Sequence, residues 1–395
     1  MPAIRLRDGP SHAVRFLERS DLEGVARLFH QRFRSADGEP GASEIAATAG
    51  YMERLYLQGP SGEACDGSLV QVDRQGGISG FLGLVKTRYR LGGERLSTCI
   101  VGALMAAEGA QHGAPGLRLL RALNEQSFEL QLTDSANRLS LALALPMRFR
   151  LLPLDCLQWM RAFRPVTMLL DRMSRRWPRQ PFELARPLAA GADMVIGRAF
   201  ARSLDQRARR FQAEAIDADA FAELAPSFLG EFPLRPDWPS DELRWLLRHA
   251  AEQRVNGPLH FVRVNDADGA SVGCFAFYGQ AGGVALVLQV LANRSGWQPV
   301  LEHLMATAAQ MGCCGITGQA QKLLMPHLFR YPGLIFRYAG GTMARSARAD
   351  VMMAVGDSDI LAGGLAGDRW TRLSAGDLGQ SAGRLGFLVN RGADA

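Results

Sequence analysis

EGAQHGAPGLRLLRAL, residues 108–123, joins a glycine-rich turn to a leucine- and arginine-rich helix pattern. Glu108 leads in, and Gly109, Gly113, Pro115 and Gly116 make the turn. Such a stretch can be a plain strand-to-helix connection. It can also cradle a phosphate, because the first amides of a helix lack partners and the helix dipole places partial positive charge there. The flanking sequence weighs between the two.

Upstream, SLVQVDRQGGISGFLGLVKTRYRLGGERLSTCIVGALMAAEG (68–109) reads as three strands. Glycine pairs at Gly76-Gly77 and Gly92-Gly93 mark the turns between them. Before the ladder, 13–21 reads as a strand ending in a cap at Ser20 or Asp21. LEGVARLFHQRFR (22–34) follows as a helix with Leu22, Val25, Leu28, Phe29 and Phe33 on one side, then a second helix over 43–58. Downstream, the expected elements are a helix over about 116–131, a strand in RLSLALALP (138–146) and a strand in 154–166.

The second half repeats this order. Strand 210–217 leads to helices over 218–232 and 241–253. Three strands follow (259–266, 271–280, 283–293), then a helix over 298–312, a strand over 313–320 and a short helix over 323–331. Closing strands are expected at 334–347 and 350–357. Between the halves lies a proline-bearing, arginine-rich linker, and after them a Gly- and Ala-rich tail with one anchored-looking element, DRWTRL (368–373). The expected division is 11–170, a linker at 171–209, a second domain at 210–357 and a tail at 358–395.

Composition narrows the function classes. At 395 residues, with 47% hydrophobic and 21% charged residues, the chain is long enough for two globular cores. The net charge is +6, and Lys86 and Lys322 are the only lysines. That balance suits an anionic ligand, but no aromatic residues interleave with a basic stripe, which argues against nucleic acid. The six cysteines form no CxxC pair and the seven histidines are scattered, so reduced thiols and no metal site are expected. No stretch reads as a signal peptide or a membrane span, and a cytoplasmic protein is expected. VTMLLDRMSRRWPR (166–179) could lie peripherally on an anionic membrane, or pack between domains with its arginines solvated.

The order strand, two helices, three antiparallel strands, helix, strand, helix, strand resembles the GNAT (GCN5-related N-acetyltransferase) fold, present twice. Similar tandem arrangements occur in mycothiol synthase-like acetyltransferases, in Fem-type aminoacyl transferases and in GNAT-like proteins of exopolysaccharide and cell-envelope gene sets. The resemblance implies an α/β (mixed-sheet α+β) fold class: two consecutive domains, each a mostly antiparallel sheet flanked by helices. The family's loop, Arg/Gln-x-x-Gly-x-Gly/Ala, matches Gln111-His112-Gly113-Ala114-Pro115-Gly116, with Ala114 replacing the middle glycine. These residues would hold the pyrophosphate of acetyl-CoA or another acyl-CoA, and Ala106 and Ala107 are the nearest backbone donors for the thioester carbonyl. The corresponding second-half loop, Asn293–Pro299, has a single glycine and the bulky Trp297.

What the resemblance implies is acyl-CoA-dependent transfer to an amine of a small molecule, glycan or peptide precursor. Glu108 is then the candidate base. The family's acid is a tyrosine on the last helix. The first half has none between 139 and 165, so Cys156 or water would substitute, while the second half carries Tyr331. A non-catalytic GNAT-fold scaffold and a Fem-type aminoacyl transferase are the alternatives.

Overall fold

The computed structural model describes residues 13–34, 39–59, 67–107, 114–166, 193 and 210–375. They form two compact units. Unit 1 gathers the chain up to Pro153, Pro233–His249 and everything from Gly340 on; unit 2 gathers Leu154–Phe232 and Ala250–Ala339.

In unit 1 the strands are β1 (Ala13–Phe16), β2 (Leu69–Val72), β3 (Ile78–Leu91), β4 (Glu94–Ala106), β5 (Leu130–Ala136), β6 (Arg150–Leu151), β9 (Leu234–Pro236) and β15 (Gly341–Arg345). Their order is β1-β2-β3-β4-β5-β15-β6, with β9 on the far end of β3. The β3–β4 turn closes with Leu91 opposite Glu94, and Gly92 supplies the left-handed residue, φ +58°. The β2–β3 turn is held by Asp73, whose Oδ1 accepts from the amides of Gln75 and Gly77, both at 2.8 Å.

Helices α1 (Leu22–Phe33), α2 (Ala42–Tyr56), α3 (Ala114–Asn124) and α4 (Arg138–Ala144) follow in the first half. Side chains alternate across β3, so its two faces take different cover. Leu82 and Leu84 join Leu119, Leu120 and Leu123 of α3 in one buried cluster. On the other face Phe81 meets Tyr56 of α2, ring centroids 5.3 Å apart.

Unit 2 carries β7 (Leu157–Ala162), β8 (Gln212–Ile216), β10 (Leu259–Asn265), β11 (Ser271–Tyr278), β12 (Val284–Ala292), β13 (Gly315–Gln319) and β14 (Leu334–Tyr338). Their order is β14-β7-β13-β12-β11-β10-β8. Five more helices complete the described chain before the end: α5 (Ala218–Leu224), α6 (Ser240–Ala251), α7 (Trp297–Gln310), α8 (Met325–Leu328) and α9 (Ala349–Gly356), with the short α10 (Arg372–Ala375) last. No helix among the described residues is long and apolar enough to cross a membrane.

Several elements differ from the sequence reading. The helix after the glycine turn stops at Asn124, and LQLTDSA becomes β5, paired in parallel with β4. RLSLALALP alternates like a strand but forms α4, because Asn137 Oδ1 caps the helix by accepting from the Ser140 amide at 2.9 Å. DVMMAVGD is also helical: Val351 and Val355, four apart, are its buried residues. A short apolar run does not settle helix against strand, and here the i,i+4 face wins. Phe33, expected on the buried side of α1, is 53% exposed.

The largest difference is in connectivity. β7, expected with the first half, lies between β13 and β14. β15, expected with the second half, lies between β5 and β6. Each sheet thus contains a strand from the other half of the sequence. The segment after β15 also belongs to unit 1: Ile360, Leu361, Leu365, Ala366 and Trp370 are buried. The Tyr89 hydroxyl lies 3.0 Å from the Leu361 carbonyl and 2.9 Å from that of Ala366. DRWTRL is an anchored element, as read. The arginine-rich segment 166–179 lies almost wholly outside the described residues.

Candidate functional site

β4 and β5 run parallel only from Thr98–Ile100 against Leu130–Leu132. Beyond that point they separate. On its other edge β4 carries a bulge: Gly83 faces Gly102 and Phe81 faces Met105, so Ala103 and Leu104 together oppose Leu82. Ala103 takes a left-handed backbone, φ +50°. A non-glycine residue in that region marks a local constraint. The bulge turns backbone out of the ladder beside the opening between β4 and β5, and Gly102, Ala103 and Leu104 are only half-buried.

The residues singled out from sequence fall around this fork. Ala107 donates its amide to Ser79 O at 2.9 Å, so that donor is engaged in the ladder. Ala106 pairs with Gly80. The interruption in β4 lies instead at Ala103–Leu104, a few residues earlier, and the small pair Gly102-Ala103 in an apolar strand was its sequence signal. Glu108, Gln111, His112 and Gly113 lie outside the described residues. Ala114 opens α3, with Pro115 and Gly116 buried. A Cβ on Gly116 would come within 2.9 Å of Leu143 Cδ1, so packing of α3 on α4 by itself leaves little room for a side chain there unless the tip of Leu143 shifts.

On the face away from α3, the paired Gly83 and Gly102 leave a bare patch of sheet. Tyr56 lies over the first: a Cβ on Gly83 would sit 2.4 Å from Tyr56 Cζ and 2.5 Å from its hydroxyl oxygen. Asp368 lies over the second, with Oδ2 3.1 Å from the position of a Gly102 Cβ. Directly opposed residues of an antiparallel pair point to one face, so Tyr56 and Asp368 share this floor. Asp368 comes from the C-terminal segment. Its amide donates to Asp134 Oδ1 of β5 at 2.7 Å, and its carboxylate accepts from the Ser135 hydroxyl. Arg369 Nε stands 3.2 Å from Asp134 Oδ2, and the Arg372 amide donates to the Tyr51 hydroxyl at 2.9 Å.

Burial, reinforced by the Asp134 carboxylate, pushes the Asp368 carboxyl well above the usual range; the Ser135 hydroxyl and Arg369 oppose this. Burial likewise raises the Tyr56 phenol well above its ordinary value, with smaller contributions from Tyr51 and Asp368. The phenol therefore stays protonated. A carboxyl whose folded pKa exceeds its unfolded value costs stability as the pH rises from the unfolded value towards the folded one. Asp368→Asn is thus expected to melt above the wild type at about pH 8, the gap closing towards about pH 4, near the unperturbed aspartate value. Thermal melts across that range check this, and a gap that stays constant contradicts it.

Unit 2 holds a related fork. β12 and β13 pair in parallel only over Val284–Leu286 and Gly315–Thr317, and the β11–β12 ladder shifts so that Leu288 is extra. Here the opening of α7 is tightly packed: a Cβ on Gly296 would lie 2.1 Å from Val272 O. Tyr331 is buried in this unit. Its hydroxyl accepts from Gln298 Nε2 at 2.9 Å, the same amide nitrogen donates to Glu302 Oε1 at 2.8 Å, and Gln298 Oε1 lies 3.1 Å from His327 Nδ1. The Arg161 guanidinium stands 5.6 Å from the Tyr331 ring centre. Cys156, the stand-in acid suggested by sequence, is buried.

Tyr56, Asp134 and Asp368 were missed in the sequence. The glycines that make room for them were visible, but not what would cover those glycines. Among the described residues no group of three or more His, Cys, Asp or Glu could hold a metal ion.

By sequence the chain matches no family model and no curated protein. By structure it is similar to a conserved protein of unknown function from Enterococcus faecalis V583, a probable N-acyltransferase, at TM-score 0.53 and 11% identity, over 85% of this chain and 72% of that one. It is similar to GCN5-related N-acetyltransferases from Anabaena variabilis, at 0.52 and 11% identity over 85% and 73%, and from Kribbella flavida, at 0.51 and 11% identity over 86% and 72%. At that identity the likeness concerns the fold. The forked parallel pair, the bulged strand before it and the helix that follows agree with it: this chain has the GNAT fold.

Proposed function

We propose that the chain is an acyl-CoA-dependent N-acyltransferase in which unit 1 holds the coenzyme. The observation that carries this reading is the fork between β4 and β5 with the bulge at Ala103–Leu104. Strands that separate leave backbone groups unpaired along their inner edges, and an extended pantetheine chain with its own amides can take up those groups. The helix that follows, α3, begins at Ala114 and would offer its first-turn amides, with Ala114 and Gly116 among them, to a pyrophosphate; Gln111, His112 and Gly113 join them only by their match to the family's loop. Acetyl-CoA is the smallest donor that fits this scheme. No metal is required for it.

The reaction forms a C–N bond at the thioester carbon and breaks the C–S bond. A base must take a proton from the amine, and the thiolate must receive one. Glu108, which follows β4 in the sequence, is one candidate base. Tyr331, in unit 2, is the candidate acid. The acceptor is an amine of a small molecule, glycan or peptide.

Release of the CoA thiol from acetyl-, butyryl- and palmitoyl-CoA, followed with a thiol reagent in the presence of simple primary amines, tests the reading. Amine-dependent release is expected with at least one donor. The contrary reading, a non-catalytic GNAT-fold scaffold, draws on Gly116, where a Cβ would crowd the tip of Leu143 with no ligand involved. Absence of amine-dependent release with all three donors would favour it.

A further inference from the structure

Helix α4 and the 3-10 turn Leu145–Met147 that extends it read RLSLALALPM. Leu141, Leu143, Ala144 and Met147 turn inward to the cluster around α3. The exposed residues are Arg138, Leu139, Ala142, Leu145 and Pro146, which fall on one arc of the helix. Leu139 is 56% exposed and Leu145 47%. Apart from Arg138, Ser140 is the only polar side chain in the run, so the helix has no polar face to give to water. A helix that is apolar all round is ordinarily covered on every side. Here the outer side is exposed.

The rim of this stripe is cationic. Arg138 opens the helix and Arg148 follows it, and no acidic residue occurs between Arg138 and Pro153 or between Ala114 and Asn124. The neighbouring α3 carries Arg121, exposed, and Arg118, half-buried. Arg345 of β15 is two residues beyond Met343, which belongs to the same cluster, so it projects to the same face of the sheet. Among the described residues Arg118, Arg121, Arg138, Arg148 and Arg345 have no ion pair, whereas Arg15, Arg27, Arg90, Arg95 and Arg348 of the same unit do. Glu125, just beyond α3, is exposed and pairs with none of the five. Burial, and then the charge of Arg148, lower the Arg345 guanidinium below its ordinary value. Like charges held near one another without a counter-ion cost free energy that an arriving anion would recover.

We infer that the outer face of the α3–α4 layer docks on an anionic lipid surface, with Leu139 and Leu145 entering the boundary between headgroups and acyl chains and the arginines reaching lipid phosphates. The inference stands apart from the coenzyme assignment, and neither needs the other. The apolar stripe supplies the part that leaves water, and an exposed contiguous patch of that kind marks an interaction surface. The charge chooses the partner: unpaired arginines flank the leucines on both sides in the sequence and stand on α3 and β15 as well, which matches a surface that carries anions everywhere. The guanidinium fork suits phosphate, and its aliphatic stem can lie along the same apolar boundary. A run this short reaches into the boundary and does not cross a bilayer.

Vesicle sedimentation with the full chain tests this, using phosphatidylcholine alone and phosphatidylcholine with about one-third phosphatidylglycerol. Wild-type affinity is expected to be roughly tenfold or more higher for the anionic vesicles, and to fall by roughly tenfold at about 1 M salt, where charges are screened within about 3 Å. Leu139→Gln/Leu145→Gln and Arg148→Gln/Arg345→Gln are each expected to weaken binding to anionic vesicles by roughly tenfold. Arg19→Gln/Arg27→Gln removes the same charge from residues that are paired to Glu53 and Glu23, and is expected to stay within about twofold of the wild type. Equal affinity for the two kinds of vesicle, or none for either, overturns the inference without recourse to any variant. Anionic-vesicle binding that survives both site variants also overturns it, and moves the contact to another part of the chain, such as 166–179. A wild type that ignores vesicles and dimerises in sedimentation equilibrium, with Leu139→Gln/Leu145→Gln monomeric, overturns it in favour of a second copy of this chain on the stripe.

Discussion

Trp370→Ala is expected to destabilise unit 1 by roughly 3–5 kcal/mol, the range for removing a buried indole. Trp370 is 1% exposed, and its ring lies 5.5 Å from that of Trp245 and 6.0 Å from that of His249. Its Nε1 donates to Gly367 O at 2.6 Å, which fixes the turn that presents Asp368. Truncation would leave a void among large rings and also release that turn. Denaturant unfolding read by circular dichroism measures the loss, and Ile335→Ala is the control. Ile335 is 58% exposed, and its truncation is expected to cost no more than about 0.5 kcal/mol. Near-equal stability of the two variants would mean that the C-terminal segment is an ornament on unit 1 and no part of its core.

Gly83→Ala carries the second large effect. The new methyl would stand 2.4 Å from Tyr56 Cζ. The phenol is enclosed and cannot swing aside, so either the ring or strand β3 must move. Overpacking of this kind costs roughly 1–3 kcal/mol. The melting temperature of Gly83→Ala is expected to fall accordingly, and thermal melts measure the shift. Gly93→Ala is the matched comparison, since nothing lies within 4 Å of a Cβ there. A wild-type melting temperature in Gly83→Ala would contradict the close packing of Tyr56 on β3.

The behaviour of particular residues shows which parts of the fold could be read from sequence. Asp73, Gly76 and Gly92 set tight turns through local backbone chemistry, so the β2–β3–β4 ladder is legible in the residues themselves. The same holds for α1, whose buried Val25, Leu28 and Phe29 keep helical spacing, although Asp21 at its start turns its carboxylate to Arg15 and not to the helix amides. Local pattern failed where two periods compete. RLSLALALP alternates by two, yet a single asparagine cap makes it a helix. It failed again where the partner is distant: nothing in LQWMRA says that its neighbours will be GITGQ and LIFRY.

The site divides along the same line. The small residues at the end of β4 announce themselves by composition, as does the loop at 108–116, of which 108–113 lie outside the described residues. Asp134 and Asp368 do not, since the contact between them spans 234 residues and exists only because the chain returns to unit 1 with β15. Gly83 and Gly102 were the trace of it. Glycine inside a long strand points to a close approach, but the approaching group was a tyrosine from one helix and an aspartate from the end of the chain.

Hydrogen exchange of the full chain with and without acetyl-CoA, repeated with palmitoyl-CoA, bears most directly on the central claim that the fork of unit 1 holds the coenzyme. The account predicts slowed exchange in peptides covering the β4 bulge and the first turn of α3, residues 102–120, and unchanged exchange across the matching stretch of unit 2, residues 288–300. Protection confined to 288–300, or no protection anywhere with either donor, would contradict it.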